Sequence, residues 1–389
     1  MKKIIIVNNN MNLGGVSKAL LDLLQEISGR YEITLFLFSP TGEYMKDIPS
    51  SVNIISSSSL FRCLGLGQNE CKHNPILYFI RGFLAALTKI CGRRIPMQII
   101  LRSQGKLSEH YDCAISYLQN GGYKSFYGGC NEFVLNKINA DRKITFLHGD
   151  YGRCGANYPY NNNLYRRFNI VAACSEGCRQ SFLRYLPDMS DNIVTVINCH
   201  NYEKIKQLAE ESPVEYDRGV TNIVSVARLS LEKGIDRGLR AIAEAIHAGC
   251  RVHYHVIGDG IQRASLESLA NELGIQDSVN FYGSTHNPYR YMKNADLLLI
   301  PSYHEAAPLV IDEALCLGLP VLSTETTSSK DMILDRDIGW VCKNSQENLT
   351  ITLIDIIKAP KKLFEYRTNL SVRKCSNFAA VESFMGLLE

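Results

Sequence analysis

Short runs of apolar residues alternate along the chain with longer stretches in which apolar positions recur at helical spacing. The first cycle is the clearest: 2–7 (KKIIIV) predicts a buried strand, 16–27 (VSKALLDLLQEI) an amphipathic helix and 32–38 (EITLFLF) a second strand. A strand, a helix and a strand in this order are typical of the βαβ unit, whose strands lie parallel in one sheet. The pattern therefore indicates an α/β protein with doubly wound parallel sheets.

This alternation occurs in two successive series. The first continues to about residue 200, and the second begins at 222–229 with a strand-like run. We therefore expect two doubly wound units, 1–200 and 201–372, and a C-terminal helix within 373–389 that packs on the second unit or returns to the first. Further strand-like runs lie at 112–118, 143–148, 169–175, 251–257, 278–284, 296–302 and 320–324, and a further amphipathic helix lies at 238–249.

Composition supports a folded protein and reveals a charge asymmetry. The 389 residues are 46% hydrophobic and 21% charged, the balance of a globular protein. Residues 1–200 carry 22 Lys/Arg against 14 Asp/Glu, whereas residues 201–389 carry 20 against 25. A basic first half indicates an anionic partner, for which a nucleic acid and a membrane surface are the candidates.

The cysteine pattern and the hydropathy of the chain indicate the cellular compartment in which the protein is expected. The thirteen cysteines include no CxxC pair, which favours reduced thiols in a cytosolic protein over a disulfide or zinc framework. The opening residues, MKKIIIVNNN, have too short an apolar run for a signal peptide. No uninterrupted run of 18 apolar residues predicts a membrane span. We expect a cytoplasmic protein.

One segment, 71–108, departs from the alternating pattern. It contains seven basic residues and no acidic residue, interleaved with bulky apolar residues at helical spacing. This composition is typical of a helix that lies on an anionic membrane surface, and a core helix with a solvated basic face is the alternative. The basic residues are Lys72, Arg81, Lys89, Arg93, Arg94, Arg102 and Lys106.

Two carboxylates stand out in the otherwise apolar stretch 304–324, HEAAPLVIDEALCLGLPVLST. Glu305 is predicted in the loop after the strand-like run 296–302, and Glu313 inside the helix that follows. Ligands bind at that end of an open parallel sheet, and the N–H groups around 307–310 suit an anion. The carboxylates suit the neighbouring hydroxyls of a sugar or a ribose. A loop acid and a solvated helix face are the alternative.

The same half of the chain offers cations for that anion. The stretch VARLSLEKGID places Arg228 and Lys233 in the loop after another strand-like run, five positions apart. Such a pair suits a diphosphate, because a guanidinium binds phosphate oxygens as a fork and an ammonium as a point charge. Basic residues in loops are also often simply solvated.

Six motifs, taken in their order along the chain, resemble the retaining glycosyltransferases of the GT-B fold, family 4. They are ARL…EKG, VIGDG, FYGS, NADLLLIPS, the E-x7-E pair of Glu305 and Glu313, and GLPV. The resemblance is strong over 220–345 and weaker over 1–200, where LGGVSKALLDLL and VAACSEGCRQSF resemble segments of the family. It implies two Rossmann-like domains facing across a cleft, the first binding the acceptor and the second the nucleotide-sugar donor.

The resemblance assigns roles to individual residues. It implies that Arg228 and Lys233 hold the donor diphosphate, that Glu313 binds the ribose hydroxyls, and that Glu305 and His148 lie near the donor sugar. Many relatives carry E-G-F-G where this chain has Glu-Ala-Ala-Pro, which weakens any transfer of sugar identity. Further positions implied to line or shape the donor site are Gly14, Gly15, Gly258, Gly283 and the backbone amides of Ala307, Leu309 and Val310.

The activity implied by the resemblance is a retaining hexosyl transfer from a nucleotide-sugar, with UDP as the default nucleotide. The implied acceptor is a glycan or a polyprenyl-diphosphate-linked sugar at the inner face of the cell membrane, in polysaccharide synthesis. Arg228, Lys233 and the helix start would stabilise the departing diphosphate, so that neither a metal ion nor a cofactor is required. The D-x-D sequence at 335–337, typical of metal-dependent transferases, falls in a predicted surface turn.

Other functions stay open from the residues alone. A nucleotide-sugar epimerase can share the two-domain fold, and a non-catalytic module can bind a sugar nucleotide without turnover. A Rossmann dehydrogenase is disfavoured, because NNNMNLGG stands where G-x-G-x-x-G would follow the first strand. Nucleic-acid binding is disfavoured as well, because no aromatic and basic platform of a known type is present.

Overall fold

The computed structural model describes residues 1–389, which form two compact units. Unit 1 comprises Met1–Cys199 together with Asn377–Glu389, and unit 2 comprises His200–Ser376. Each unit contains one parallel sheet, of seven strands in unit 1 and six in unit 2. The predicted fold class, two doubly wound parallel-sheet units, is confirmed.

The strands of unit 1 are β1 (Lys3–Asn8), β2 (Glu32–Leu37), β3 (Asn53–Ser56), β4 (His110–Ser116), β5 (Asn139–Leu147), β6 (Ile170–Ala173) and β7 (Ile193–Thr195). Their order is β3-β2-β1-β4-β5-β6-β7, so the order reverses between β1 and β4. Ile4 and Ile6 lie in one apolar core, and Ile5 and Val7 lie in another. Two cores explain the continuous apolar run of β1, since a strand covered on both faces needs apolar residues at every position.

The helices of unit 1 that precede residue 200 are α1 (Gly15–Ile27), α2 (Arg62–Gly65), α3 (Pro75–Cys91), α4 (Arg94–Arg102), α5 (Cys130–Lys137), α6 (Pro159–Tyr165) and α7 (Glu176–Leu183). Helix α3 shows how local sequence sets helix ends. The Asn74 side chain accepts from the Leu77 amide at 3.1 Å, Pro75 occupies the first turn, and Gly92 (φ +75°) ends the helix. No helix of the protein combines the length and hydropathy that a bilayer crossing requires.

The strands of unit 2 are β8 (Thr221–Val226), β9 (Val252–Ile257), β10 (Val279–Gly283), β11 (Leu297–Ile300), β12 (Val321–Thr324) and β13 (Gly339–Cys342). Their order is β10-β9-β8-β11-β12-β13, so the order reverses between β8 and β11. The helices are α8 (Tyr202–Glu210), α9 (Ile235–His247), α10 (Arg263–Glu272), α11 (Tyr289–Met292), α12 (Val310–Cys316), α13 (Gln346–Ile357) and α14 (Pro360–Ser371).

The last helix, α15 (Phe378–Gly386), belongs to unit 1 although it follows unit 2 in the chain. Its buried residues Ala380, Val381 and Phe384 share an apolar core with Ile4 of β1. The Asn377 side chain donates to Glu26 of α1 at 2.6 Å, directly before the helix begins. The chain therefore completes the core of unit 1 only after unit 2 has been made.

Candidate functional site

Two loops meet at the carboxyl edge of the unit 2 sheet, where the strand order reverses. Residues 227–234 follow β8, and residues 301–309 follow β11, which pairs with β8. The Tyr303 amide donates to the Glu232 carbonyl at 2.9 Å and joins the two loops. In open parallel sheets, ligands bind at such a reversal, outside the carboxyl ends of the strands.

Lys233 and Glu305 form an ion pair at this reversal. The Lys233 Nζ lies 2.7 Å from Glu305 Oε1, and the Ser302 hydroxyl donates to the same oxygen at 2.8 Å. The side chains are 22% and 10% exposed. A Cβ at Gly234 (φ +62°) would lie 2.2 Å from the Pro301 carbonyl oxygen, so glycine permits this approach of the loops. The two residues predicted at one ligand are in direct contact.

Glu313 lies in the first turn of α12 and is 6% exposed. The Tyr289 hydroxyl donates to its Oε1 at 3.0 Å. This burial excludes the alternative in which Glu313 occupies a solvated helix face. A carboxylate can accept several hydrogen bonds, so a buried and oriented Glu313 suits the recognition of hydroxyl groups.

The start of α12 carries no side-chain cap. Within the first turn, the Ile311 amide donates to Pro308 at 3.2 Å and the Glu313 amide donates to Leu309 at 3.2 Å. Ala307, Leu309 and Val310, whose amides were predicted to face an anion, lie at this uncapped start. The helix is short and ends at Cys316, before Gly318 (φ +67°).

Asp312, also in α12, contacts two basic side chains outside the helix. Its carboxylate accepts from Arg336 at 2.7 Å and lies 3.4 Å from His200 Nε2. Burial alone would raise the pKa of Asp312, but the hydrogen bonds and charges of His200 and Arg336 outweigh it and lower that pKa to about 2. Arg336, the middle residue of the D-x-D sequence, thus has a structural partner.

Arg228 lies at the surface of the first loop, with a side chain that is 74% exposed. Its Nη2 atom is 3.6 Å from Glu232 Oε1, a loose pairing in solvent. The structure therefore places Arg228 on the same loop as Lys233. Its long, exposed side chain can reorient.

Gly258 and Gly283 lie at the carboxyl ends of β9, which pairs with β8, and of β10, which pairs with β9. The Gly258 amide donates to the Gly283 carbonyl at 2.9 Å, and both residues have positive φ angles, +133° and +76°. A Cβ at Gly258 would lie 1.9 Å from the Ala227 carbonyl oxygen. Glycine is therefore required for the tight edge that these loops form beside Ala227.

His148 directly follows β5 at the carboxyl edge of the unit 1 sheet. Its ring lies 4.7 Å from the Tyr117 ring and 5.7 Å from the Phe146 ring, centroid to centroid. Burial lowers the pKa of His148 to about 4, and a hydrogen bond with the Tyr117 backbone only partly opposes that effect. The buried Nε2 atom has no hydrogen-bond partner in the protein. His148 is therefore a neutral imidazole near pH 7.

Gly14 and Gly15 are exposed at the start of α1, in the loop after β1. A Cβ added at either position would have no neighbour within 4 Å. The fold itself therefore does not require glycine at these two positions. Open space above them is compatible with the predicted approach of a ligand to this loop.

Several residues that shape the unit 2 site were not predicted. Ser302 and Tyr289 bind the two carboxylates, and the Asn344 amide donates to Tyr303 at 3.1 Å and to Glu325 at 2.9 Å. Asn344 thereby ties the loops that follow β11, β12 and β13 together. The one sequence signal was an amide residue just after a strand-like run, which is too common to single out.

The basic and apolar segment 71–108 contains α3 and α4. Four large apolar side chains of α3, Ile76, Phe79, Phe83 and Ile90, are 73%, 73%, 63% and 77% exposed. Their spacing of three, four and seven residues puts them on one face of the helix. An apolar helix face in solvent is a feature of interaction surfaces.

One of the seven basic residues in that segment does not lie at the surface. Arg93 is 2% exposed, and its Nε donates to Glu132 Oε1 at 2.9 Å. The predicted membrane-facing role and the alternative, a solvated basic face, are therefore both wrong for Arg93, whose burial is compensated by an ion pair with a buried carboxylate. The basic residues of the segment that are exposed are Lys72, Lys89, Arg94, Arg102 and Lys106.

Comparison with protein families identifies the C-terminal part of the chain. Residues 210–372 match the family described as Glycosyl transferases group 1. The matched segment contains Arg228, Lys233, Glu305 and Glu313.

Individual relatives extend this match. The lipopolysaccharide glucosyltransferase WaaG of Escherichia coli is 36% identical over 126 residues, 31% of this chain and 33% of WaaG. A Campylobacter jejuni protein named N-acetylgalactosamine-N,N'-diacetylbacillosaminyl-diphospho-undecaprenol 4-alpha-N-acetylgalactosaminyltransferase is 22% identical over 355 residues, 90% of this chain and 88% of that protein. The first curated relatives, however, are matched over only 43%, 33% and 56% of their own length.

Solved structures share the fold of the whole chain. The crystal structure of Anabaena Alr3699/HepE in complex with UDP and glucose superimposes with a TM-score of 0.69 at 17% identity, covering 100% of this chain and 99% of that chain. At that identity the likeness shows the fold alone. The match over residues 210–372 agrees with the family that the six ordered motifs predicted, and the solved structure confirms the predicted fold.

Proposed function

Because residues 210–372 belong to the group 1 glycosyltransferase family, we propose that this protein transfers a sugar from a nucleotide-sugar to a glycan or lipid-linked acceptor. Unit 2 binds the donor, and unit 1 binds the acceptor. The observation that carries the proposal is the Lys233–Glu305 ion pair at the strand-order reversal of unit 2, inside the matched segment.

The unit 2 site has the groups that a nucleotide-sugar requires. Lys233 and Arg228 supply positive charge for the diphosphate, together with the uncapped start of α12. Glu313, held by Tyr289, accepts hydrogen bonds from the ribose hydroxyls. Glu305 lies near the donor sugar. Gly258 and Gly283 shape the nucleotide pocket by permitting close packing of the loops, since a Cβ at Gly258 would lie 1.9 Å from the Ala227 carbonyl oxygen. UDP is the proposed nucleotide, supported by the UDP complex of the structural relative.

The proposed chemistry uses charge stabilisation. As the bond between the sugar and the diphosphate breaks, negative charge grows on the leaving group, and Lys233 and Arg228 stabilise it without a metal ion. The neutral His148, whose Nε2 atom has no hydrogen-bond partner in the protein, is proposed to accept a hydrogen bond from a substrate hydroxyl. We propose that transfer retains the anomeric configuration, with the departing phosphate accepting the proton of the acceptor hydroxyl on the same face.

Calorimetric titration of the full-length protein with UDP, GDP and ADP, each with and without EDTA, tests this function. We expect one nucleotide to bind, equally well in EDTA, and its affinity to fall in Lys233→Ala and in Glu313→Ala. Lys343→Ala, which changes a lysine of the same unit outside the site, serves as the matched control. A folded protein that binds none of the three nucleotides would refute the proposal.

A second assay separates transfer from the other activities of this fold. The nucleotide-sugar that binds is incubated with the protein alone and with a membrane lipid extract that contains polyprenyl-diphosphate-linked sugars. Transfer requires that the extract accelerate nucleotide release and that a labelled sugar enter the lipid fraction. Interconversion of the sugar without an acceptor would instead identify an epimerase.

We further propose that unit 1 binds an anionic membrane surface through α3 and α4, where a lipid-linked acceptor resides. The exposed apolar face of α3 inserts among the lipids, while exposed cations such as Lys89 and Arg94 meet the head groups. Burial of each phenylalanine contributes about 1.5–3 kcal/mol, so replacing both should weaken binding strongly. The name of the Campylobacter relative, which includes diphospho-undecaprenol, supports a lipid-linked acceptor.

Flotation with liposomes tests this surface. The intact protein should float with vesicles that contain phosphatidylglycerol, and Phe79→Ser combined with Phe83→Ser should remain at the bottom of the gradient. Ile351→Ser combined with Val372→Ser removes two exposed apolar side chains from unit 2 and should float normally. Failure of the intact protein to float, or equal loss in the control, would disprove the proposed surface.

A further inference from the structure

A cavity lies entirely within unit 1, at the carboxyl edge of its sheet. It has a volume of about 600 Å³ and is lined by residues 119–125, Tyr127 and residues 154–155. The first two parts follow β4 and the third follows β5. This is beside the reversal between β1 and β4, the edge at which ligands bind in open parallel sheets.

A buried ionic network fixes the loop that forms most of the cavity. Arg93 donates to Asn120 Oδ1 at 2.8 Å and to the Tyr127 carbonyl, and its own amide donates to the Tyr123 carbonyl at 3.0 Å. Asn120 donates in turn to Glu132 Oε2 at 3.1 Å. Such a network holds the loop in one conformation before any ligand arrives, which lowers the entropy cost of binding.

The absence of a side chain at Gly92 allows the Tyr123 ring to form part of the cavity wall. Gly92 has a φ of +75°, and a Cβ there would lie 2.1 Å from the ring of Tyr123. The Tyr123 hydroxyl donates to the Cys91 carbonyl at 3.0 Å, so the ring is held in place. Tyr123 and Tyr127 are both 46% exposed and present ring surface at the cavity.

One polar atom in the wall is unsatisfied. Gln119 is 7% exposed, and its Oε1 atom is buried with no hydrogen-bond partner. A buried oxygen without a donor destabilises the protein, so a ligand hydroxyl that donates to it recovers that free energy. Lys124 is the one charged residue that lines the cavity, and no carboxylate lines it.

We propose that this cavity binds one sugar ring of the acceptor, and that this sugar carries, or is joined to, an anionic group. A hydroxyl of the ring donates to Gln119 Oε1, the apolar face of the ring lies on Tyr127, and the anionic group pairs with Lys124. The inference rests on the proposed transferase function and specifies its acceptor class, a glycosyl phosphate or a uronic acid.

Ligand-observed saturation-transfer NMR on the full-length protein tests the inference with three probes: N-acetylglucosamine 1-phosphate, glucuronic acid and N-acetylglucosamine. We expect the anionic sugars to bind about tenfold more tightly than the neutral one, a typical gain from one charge-assisted hydrogen bond. Preference for the phosphate identifies a glycosyl phosphate, and preference for the carboxylate identifies a uronic acid. Inorganic phosphate alone should not displace the bound sugar.

Four variants localise the binding. Gln119→Leu should abolish the sugar signals, and Lys124→Gln should reduce the anionic sugars to the affinity of the neutral one. Lys106→Gln, at an exposed lysine on the amino side of β4, and Lys233→Ala, in the donor site, should leave all signals unchanged. Circular dichroism and thermal unfolding confirm that each variant is folded before its affinity is compared.

The outcomes separate this inference from the donor proposal, because UDP binding is measured on the same samples. If UDP binds while no sugar does, or if Gln119→Leu binds the sugars normally, the cavity is not the acceptor site. If the signals vanish in Lys233→Ala and persist in Gln119→Leu, the sugars bind in unit 2 and the inference is wrong. Sugar binding that depends on Gln119, in a protein that binds no nucleotide, would support the cavity and refute the donor proposal.

Discussion

Lys233 of the loop after β8 lies 2.7 Å from Glu305 of the loop after β11. The ammonium group that is proposed to bind the diphosphate is therefore partly neutralised before a donor arrives. We expect Lys233→Met to weaken UDP binding by about 30-fold, equivalent to about 2 kcal/mol, because it removes a charge-assisted hydrogen bond. Calorimetry with UDP measures this loss.

The opposite substitution separates binding from transfer. Glu305→Gln removes the negative charge beside Lys233, so we expect UDP to bind at least as tightly as in the wild type. Transfer should nevertheless fall by at least about tenfold if Glu305 contacts the donor sugar in the transition state. Weaker UDP binding with unchanged transfer would contradict this assignment. Both quantities are measured on one preparation.

Glu313 should distinguish a ribose from a deoxyribose. The wild type should bind UDP about five- to thirtyfold more tightly than 2′-deoxy-UDP, since the missing hydroxyl leaves a buried carboxylate oxygen unpaired. Glu313→Gln should bind both nucleotides with similar affinity. Tyr289→Phe, which removes the 3.0 Å hydrogen bond to Glu313 but keeps the carboxylate, should retain most of the discrimination. Equal preference in the wild type and Glu313→Gln would exclude ribose recognition by this residue.

The low pKa of His148 predicts an unusual pH dependence. A histidine with the ordinary pKa of about 6.5 would be protonated at pH 5.5 and would change transfer about tenfold between pH 7.5 and 5.5. Burial lowers the pKa of His148 to about 4, so we expect wild type and His148→Gln to have parallel pH–rate profiles in this range, with the variant slower. An acid limb near pH 6.5 that disappears in His148→Gln would show that the residue titrates.

The lowered pKa of His148 also makes the free energy of unfolding depend on pH. Between pH 6.5 and 4 the unfolded chain binds a proton at His148 that the folded protein does not, so unfolding becomes easier as the pH falls through this window. His148→Gln should therefore show a shallower decline of the unfolding free energy between pH 7 and 5 than the wild type. Urea unfolding at several pH values measures the difference.

Removal of one partner of the buried Arg93–Glu132 ion pair should strongly destabilise unit 1. Arg93→Met leaves Glu132 buried without its cation, so we expect the free energy of unfolding to fall by about 3–5 kcal/mol. Arg93→Met combined with Glu132→Gln should recover part of the loss. The exposed neighbour provides the control: Arg94→Met should change stability by less than about 0.5 kcal/mol. Denaturant unfolding followed by circular dichroism gives all three values.

Local periodicity was sufficient to predict the sheet strands with long apolar runs. The runs 2–7 and 32–38 correspond to Lys3–Asn8 and Glu32–Leu37, and the helix predicted at 16–27 is Gly15–Ile27. Strands covered on both faces have apolar residues at successive positions, so their sequences carry a strong signal. The short edge strand β3, whose four residues are not buried, carries no such signal and was not predicted.

Positions in the site were predictable where a motif fixes spacing, but contacts were not. Glu305 and Glu313 were found from their spacing, yet the Lys233–Glu305 contact joins residues 72 positions apart. The burial of Arg93 could not be read from a segment rich in basic residues, because its partner Glu132 lies 39 positions away in α5. Both the Lys233–Glu305 contact and the burial of Arg93 depend on packing between distant segments of the chain. A local sequence pattern carries no information about such packing.

The position of α15 has a consequence for the order in which the protein matures. Phe384 is fully buried in the core of unit 1, although ribosomes make it after all of unit 2. Unit 2 is continuous in sequence, so it can finish folding during translation, whereas the unit translated first waits for its last helix. Unit 1 thus becomes complete only after unit 2, and a nascent chain that stalls before α15 exposes Ile4 and its neighbours to chaperones and proteases.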